Sequence, residues 1–287
     1  MVGFNLHLGF DYLKSTYCRL LHAEDIFIHP FKNKNGSLAS MKKTKHIIVI
    51  ISMICSWQLN AQVVDTIRVG DHFKNIDQLE MGTTKDIIFT EMAGVVRSVS
   101  LKTKSTEKVN INGIDYLAFR HSWTTGSPET SGDFYYLCEP ETLRPVQHIR
   151  NTKQNGKEAF SFQGMKILGL DSATDNTMKD FSLDLTEPTY NWEIDLETYS
   201  LLPMKMGYEA VMNFYHPGGT APGFYHLKII GSEKLMLPDG RDMDCWVLFT
   251  DYGGTQPTKF WYTKTNQNFI KMEGKYKQLT IRKERIF

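Results

Sequence analysis

The sequence lacks most of the features that announce a chemistry. No glycine-rich turn leads from a strand into a helix, so no phosphate or dinucleotide cradle is expected among the 287 residues. There is no HExxH motif, and the histidines beyond residue 61 (72, 121, 148, 216 and 226) fall at no zinc-ligand spacing, so neither metal nor cofactor is signalled. No GxSxG elbow is present to expose a nucleophile. Charge of one sign is missing too: a formal net charge of +1 supplies no field for gripping nucleic acid. No apolar run is long enough to span a bilayer. Cysteines number only four, and just Cys138 and Cys245 lie beyond residue 61.

What is present begins with an address. From Met41 the chain reads MKKTKHIIVIISMICSWQLNAQ: three lysines, an apolar run from Ile47 to Trp57, and Ala61 before Gln62. This is the order of a secretory signal peptide, and it predicts cleavage after Ala61, release into the periplasm and no stable membrane anchor. A signal peptide begins its protein, so residues 1–40 are expected to be an upstream extension rather than part of the exported domain. Ser52, Met53 and Ile54 before Cys55 lack the small residues of a lipoprotein cleavage site, so no lipid anchor is expected there. Removing residues 1–61 takes away seven basic and three acidic residues, which moves the formal charge from +1 to −3. In an oxidising compartment Cys138 and Cys245 could form a disulfide, but each sits in an aromatic-rich strand where a buried free thiol is equally natural.

The remainder reads as mostly β. Turn signals recur at Asn112-Gly113, Asn155-Gly156, Pro217-Gly218-Gly219, Pro222-Gly223, Pro238-Asp239-Gly240 and Tyr252-Gly253-Gly254, with short runs of β-branched and aromatic residues between them. One stretch breaks the pattern: Trp192, Leu196, Tyr199 and Leu202 recur at helical spacing until Pro203, predicting one short helix over about 191–202. A polar linker precedes it, and linker and helix together span about 171–206. On either side the sequence repeats. Gly113 leads to Phe134-Tyr135-Tyr136 and Gly240 leads to Phe260-Trp261-Tyr262, each trio followed by a polar turn and another strand. The expectation is a duplicated antiparallel β-meander, with repeats at about 94–165 and 208–284, forming a barrel or strongly curved sheet with the helix between its halves.

The segments Leu202-Pro203-Met204-Lys205-Met206-Gly207-Tyr208, FYHLKIIGSEKL from Phe224 and FWYTKTNQNFIKMEG from Phe260 resemble exported bacterial proteins of the domain of unknown function 3108 family. The resemblance covers about 94–284 and rests on structural motifs, so it carries no catalytic residues. In outline such proteins are similar to the curved-sheet carriers of outer-membrane lipoproteins, whose concave face holds acyl chains, although this chain has no lipidation cysteine and no long apolar groove segment.

Site candidates follow from composition alone. If one face lines a curved sheet, Tyr135, Tyr136, Trp246, Trp261 and Tyr262 are ligand-binding candidates for a lipid or other apolar molecule; the alternative is that the rings are simply core. His216, Gly218 and Gly219 form a loop that could line a site, and a strand end with a glycine turn is the plainer reading. Asp239, Asp242 and Asp244 admit a hard-cation loop but lack EF-hand spacing, and Ser127, Thr130 and Ser131 read as a solvated hairpin loop. The function these features favour is non-enzymatic binding of an apolar or amphipathic envelope component. The alternative is an interaction module with an envelope protein partner, a filled core and functional loops. A hydrolase using His216 or His121 stands third.

Overall fold

The computed structural model describes residues 64–237 and 240–287. The predicted extension and signal peptide, and Asp239, lie outside the described residues.

Among the described residues, sixteen strands form a single sheet. The first meander comprises β2 (Gly82–Met92), β3 (Val95–Ile111), β4 (Ile114–Thr124), β5 (Gly132–Cys138), β6 (Pro145–Thr152) and β7 (Gly156–Phe162). The second comprises β11 (Glu209–Tyr215), β12 (Gly223–Met236), β13 (Asp242–Thr250), β14 (Thr258–Thr263), β15 (Phe269–Tyr276) and β16 (Leu279–Ile286). Short strands flank them: β1 (Asp65–Ile67), β8 (Lys166–Gly169), β9 (Ser182–Asp184) and β10 (Tyr190–Asn191). Neighbours within each meander pair antiparallel, and β16 pairs antiparallel with β2, so the second meander precedes the first in the sheet. The sheet is open, ending on β9 at one side and on β1, parallel to β11, at the other.

Local sequence explains the turns. Asn112 and Gly113 both take positive φ (53° and 84°), the two-residue hairpin geometry that Asn-Gly favours, and they join the long β3 to β4. The predicted linker is more structured than its polarity implies: Asn176 accepts from the Ala159 amide and donates back to its carbonyl, both at 2.9 Å, and β9 extends the edge. An asparagine side chain here imitates the backbone of a missing strand.

The predicted helix is present but shorter. A 3-10 turn, Trp192–Ile194, runs into α1, Asp195–Tyr199, and tighter turns carry the chain to Leu202. We call 190–206 the strap. Ile194, Leu196, Tyr199, Leu201 and Leu202 are all buried, packed with Phe214, Leu227, Ile229, Leu248, Phe260, Tyr262 and Phe269 from the second meander. Over the second meander, the face that the sequence left as either a ligand surface or core is therefore core, covered by the chain itself. The apolar side chains at helical spacing need a partner surface, and the aromatic face of β11–β15 is that surface.

Candidate binding site

Alternation along each strand sorts the predicted residues onto two faces. Tyr136 and Tyr262 belong to the main inner core, with Trp246 packed against its edge. Trp261 lies on the other face, in a small cluster with Cys245, Val247 and Ile270, where its indole N–H donates to Glu233 at 2.8 Å. Tyr135 also faces outward, under the Arg120 guanidinium at 4.5 Å. The five rings therefore do not form one surface: adjacent residues in a strand cannot share a face. Nor can the cysteines bond. Cys138 is in the inner core and Cys245 in the outer cluster, both free, and burial pushes both thiols up, Cys245 to about 11.

The His216 loop is tied down by Tyr215, whose hydroxyl donates to the Gly219 carbonyl at 2.9 Å and accepts from the Gly218 amide at 3.1 Å. It reaches the interior nonetheless. The His216 ring lies 4.3 Å from that of Trp192 in the strap, and a side chain at Gly218 would meet the Arg150 guanidinium. Thr125, Ser127, Thr130 and Ser131 hydrogen bond mainly among themselves, as a self-contained loop does. Among the described residues no group of three His, Cys, Asp or Glu could hold a metal ion, and no helix is long and apolar enough to cross a membrane.

The first meander shows what sequence reasoning missed. Its inner face mixes charged and polar groups with rings and aliphatic chains, and strand register arranges it in rows. Arg285, Asp86, Lys102 and Trp123 stand side by side across β16, β2, β3 and β4. Thr84, Lys104, His121, Phe134 and Arg150 form the next row, and Thr106, Phe119, Tyr136, His148 and Phe160 the third. Opposite stand the strap carboxylates Glu193, Asp195 and Glu197. Lys104 lies 3.1 Å from Glu197 and 3.3 Å from the fully buried Asp86. Burial alone would depress Lys104, but these two carboxylates outweigh it and the ammonium is held above its ordinary value.

The rest of the face is not paired off. Lys102 and Lys283 have no carboxylate within 4 Å among the described residues; Lys102 lies 5.8 Å from the Trp123 ring. Burial, then the Lys102 charge, bring Lys283 down to about 8, whereas burial lifts Asp195 to about 6 against the pull of Lys283. Burial keeps His121 well below its usual value and takes His148 to about 3, so both imidazoles are neutral. Six buried polar atoms in these rows have no hydrogen-bond partner: His121 Nδ1, Trp123 Nε1, the Tyr136 hydroxyl, His148 Nε2 and both carboxylate oxygens of Asp86, one of which ion-pairs with Lys104. Orphaned groups of this kind are costly, and natural interiors rarely collect several in one place. Lys283, Asp195 and Trp123 are only partly buried, so this corner opens to solvent.

Space is scarce. A cavity of about 30 Å³ lies between strap and sheet beside Lys104, Glu197, Ser200 and Gln267, room for water and little else. A much larger groove, about 450 Å³, runs along the outer face of β2–β6.

A sequence signal for the polar face existed. In Leu101-Lys102-Thr103-Lys104-Ser105-Thr106 neither alternate set is apolar, which in a central strand means that charge is buried on one side; Glu193, Asp195 and Glu197 supply the complementary acids.

The model of one family, described as a protein of unknown function (DUF3108), matches residues 92–279. No curated protein matches the chain. Among solved structures, a β-barrel-like protein of domain of unknown function DUF1849 from Brucella abortus is 9% identical over 72% of this chain and 97% of its own, with a TM-score of 0.34. A DUF1329 family protein from Desulfovibrio piger is 9% identical over 74% and 87%, with a TM-score of 0.29. A LolA superfamily protein from Nitrosomonas europaea is 11% identical over 77% and 92%, with a TM-score of 0.20.

Proposed function

The chain belongs to the DUF3108 family, and from that premise we propose that it is a non-enzymatic binding protein of the bacterial periplasm, exported through residues 41–61, that takes an amphipathic envelope component at the inner face of its sheet. The observation that carries this reading is the set of orphaned polar atoms on β4–β6 beside two unpaired lysines, opening at the Lys283 corner. A polar, anionic head would satisfy the Lys102 and Lys283 ammoniums and the Trp123 N–H; the apolar part would follow the aromatic rings that the strap now covers. Binding rather than catalysis fits the histidines. His148 Nδ1 is engaged by Asn191 at 3.2 Å, and His121 Nε2 faces Glu197 at 4.0 Å, with no nucleophile paired to either.

Native mass spectrometry of the protein, purified without detergent from the periplasm of a Gram-negative host, tests this. A reproducible amphiphile mass is expected, lost in the Lys102→Met/Lys283→Met variant while the melting curve keeps its shape. A clean protein mass in the parent, or an adduct that survives the double variant, overturns the reading. One observation favours the interaction-module alternative: the filled interior, with its 30 Å³ cavity, is what a scaffold with functional loops would have. Loss of partner capture on replacing 126–133 or 216–223, with no adduct in the parent, would select it.

A further inference from the structure

Where β2 turns into β3, the residues from Met92 to Val99 are all exposed, and most of them are apolar: Met92 (40%), Val95 (53%), Val96 (47%) and Val99 (45%), beside Ala93 and Gly94. Hairpin ends are ordinarily polar, because nothing packs on them. This turn is also built against its own preference. Ala93 and Gly94 both take positive φ (51° and 78°), the geometry that Asn112 and Gly113 adopt at the other end of β3, and an alanine holds it less easily than an asparagine would. The β15–β16 turn lies alongside: Leu279 pairs with Met92, and the Ala93 amide donates to the Gln278 carbonyl at 3.0 Å. There Lys277, again a side chain at positive φ (54°), stands 5.1 Å from the Tyr276 ring. The two turns form one tip.

Charge at the tip has one sign. Arg97, Lys275 and Lys277 are exposed, and neither 92–99 nor 274–280 contains an acid. Behind them Glu91 bonds Arg282 and Glu273 lies 3.7 Å from Lys275, whereas Arg97 and Lys277 have no carboxylate within 4 Å among the described residues. This basic spot belongs to a stretch, 62–287, whose formal charge is −3. A strand from a peptide or a second copy could add to β3, since residues 95–100 have no partner on the β4 side. The edge is built against that: β3 carries an extra residue, Arg97, at a bulge opposite the Thr90–Glu91 step, and a charged bulge interrupts the ladder that an added strand needs. A bilayer surface needs no register. It accepts apolar side chains at headgroup depth, where water still reaches free backbone groups, and its anionic lipids attract flanking lysine and arginine. We propose that the paired tips of β2–β3 and β15–β16 dock reversibly on a bilayer surface containing anionic phospholipid. Met92, Val95 and Val96 enter the headgroup region, Tyr276 sits at its boundary, and Arg97, Lys275 and Lys277 meet the phosphates. The open corner at Lys283 stands on the same strand as Leu279, paired with Ile88 of β2, so docking brings that corner toward the membrane.

Co-sedimentation of the protein with vesicles of phosphatidylglycerol and phosphatidylcholine in equal amounts, against vesicles of phosphatidylcholine alone, tests the proposal. Capture by the anionic vesicles is expected, about tenfold or more stronger than by the neutral ones, and weakened by added salt. Val95→Asp/Val96→Asp should weaken it by about tenfold or more, and Arg97→Gln/Lys277→Gln by a similar factor. All four side chains are exposed, and a thermal melt of each variant reports whether it folds. Lys102→Met/Lys283→Met should keep capture within about threefold, which separates the tip from the inner face. No capture by anionic vesicles, equal capture by both kinds, capture that survives Val95→Asp/Val96→Asp in a folded variant, or capture lost in a folded Lys102→Met/Lys283→Met variant overturns the proposal. So does a concentration-dependent dimer, seen by ultracentrifugation without vesicle capture and abolished by Val99→Pro, which would give the β3 edge to a second copy.

Discussion

The two meanders share a strand plan and differ in what they bury. Against the strap, β11–β15 present mostly rings and aliphatic chains with few polar groups: the Tyr262 hydroxyl donates to the Leu196 carbonyl at 3.1 Å, and Gln267 donates to the carbonyls of Ser200 and Leu202, while the strap's Tyr199 hydroxyl has no hydrogen-bond partner. Against the same strap, β2–β6 and β16 present ammoniums, imidazoles and carboxylates, several of them unmatched. Unmatched polar groups occur in both halves and are more numerous in the first. Groups that cost stability and persist often mark functional places, which is why the proposed site is put in the first meander while the larger share of the apolar packing falls to the second.

This contrast can be broken in four places. The largest loss is expected in the apolar half, where Phe214→Ala should cost about 4 kcal/mol by emptying a ring site among Tyr190, Trp192 and Tyr199, as denaturant unfolding would show. If it costs less than replacements in the polar half, the assignment of stability to the second meander fails. Next comes Lys104→Met, expected to cost about 3 kcal/mol because it strands Asp86 and Glu197; the triple variant Asp86→Leu/Lys104→Met/Glu197→Leu should recover most of the loss. A triple variant no better than the single one would mean that the ion cluster earns its place through stability alone.

Asp195 offers a test in pH. Its folded value, about 6, lies above the ordinary 3.8, so the folded state holds the proton more tightly, and stability from this group falls as pH rises from about 4 to about 6. Asp195→Asn should accordingly exceed the parent by about 1–3 kcal/mol at pH 7, with the advantage vanishing below about pH 4 in paired thermal melts. A difference independent of pH would place the effect in packing instead. The smallest effect is expected outside: Lys85→Ala, on the exposed face of β2, should change stability by no more than about 0.5 kcal/mol.

Much of the architecture was legible because the signals were local. Asn112-Gly113 declares its hairpin, and Trp192, Leu196, Tyr199 and Leu202 declare a helix with one apolar side. The strand class follows from aromatic runs punctuated by turns. Alternation along the strand already divides each aromatic trio between two faces, but which face is the inner one for Tyr135 and Trp261 is settled only by the packing. The strap's position, by contrast, is a long-range fact: nothing near Leu196 states that Tyr262 will receive it. The polar site was hidden for a related reason. Lys102, Asp86 and Lys283 are ordinary charged residues in sequence, and only register across three strands brings them beneath Asp195.

The seam between β16 and β2 has one more consequence. Leu279 pairs with Met92 and Ile286 with Lys85, partners roughly two hundred positions apart, in the middle of the sheet rather than at its rim. A ribosome delivers β2 long before β16, so the earlier meander must persist with an uncovered flank until the final strand arrives. Long-range pairing of this kind is generally slow and exposed to wrong partners, so closure of the β16–β2 seam is expected to be a late step in forming the sheet.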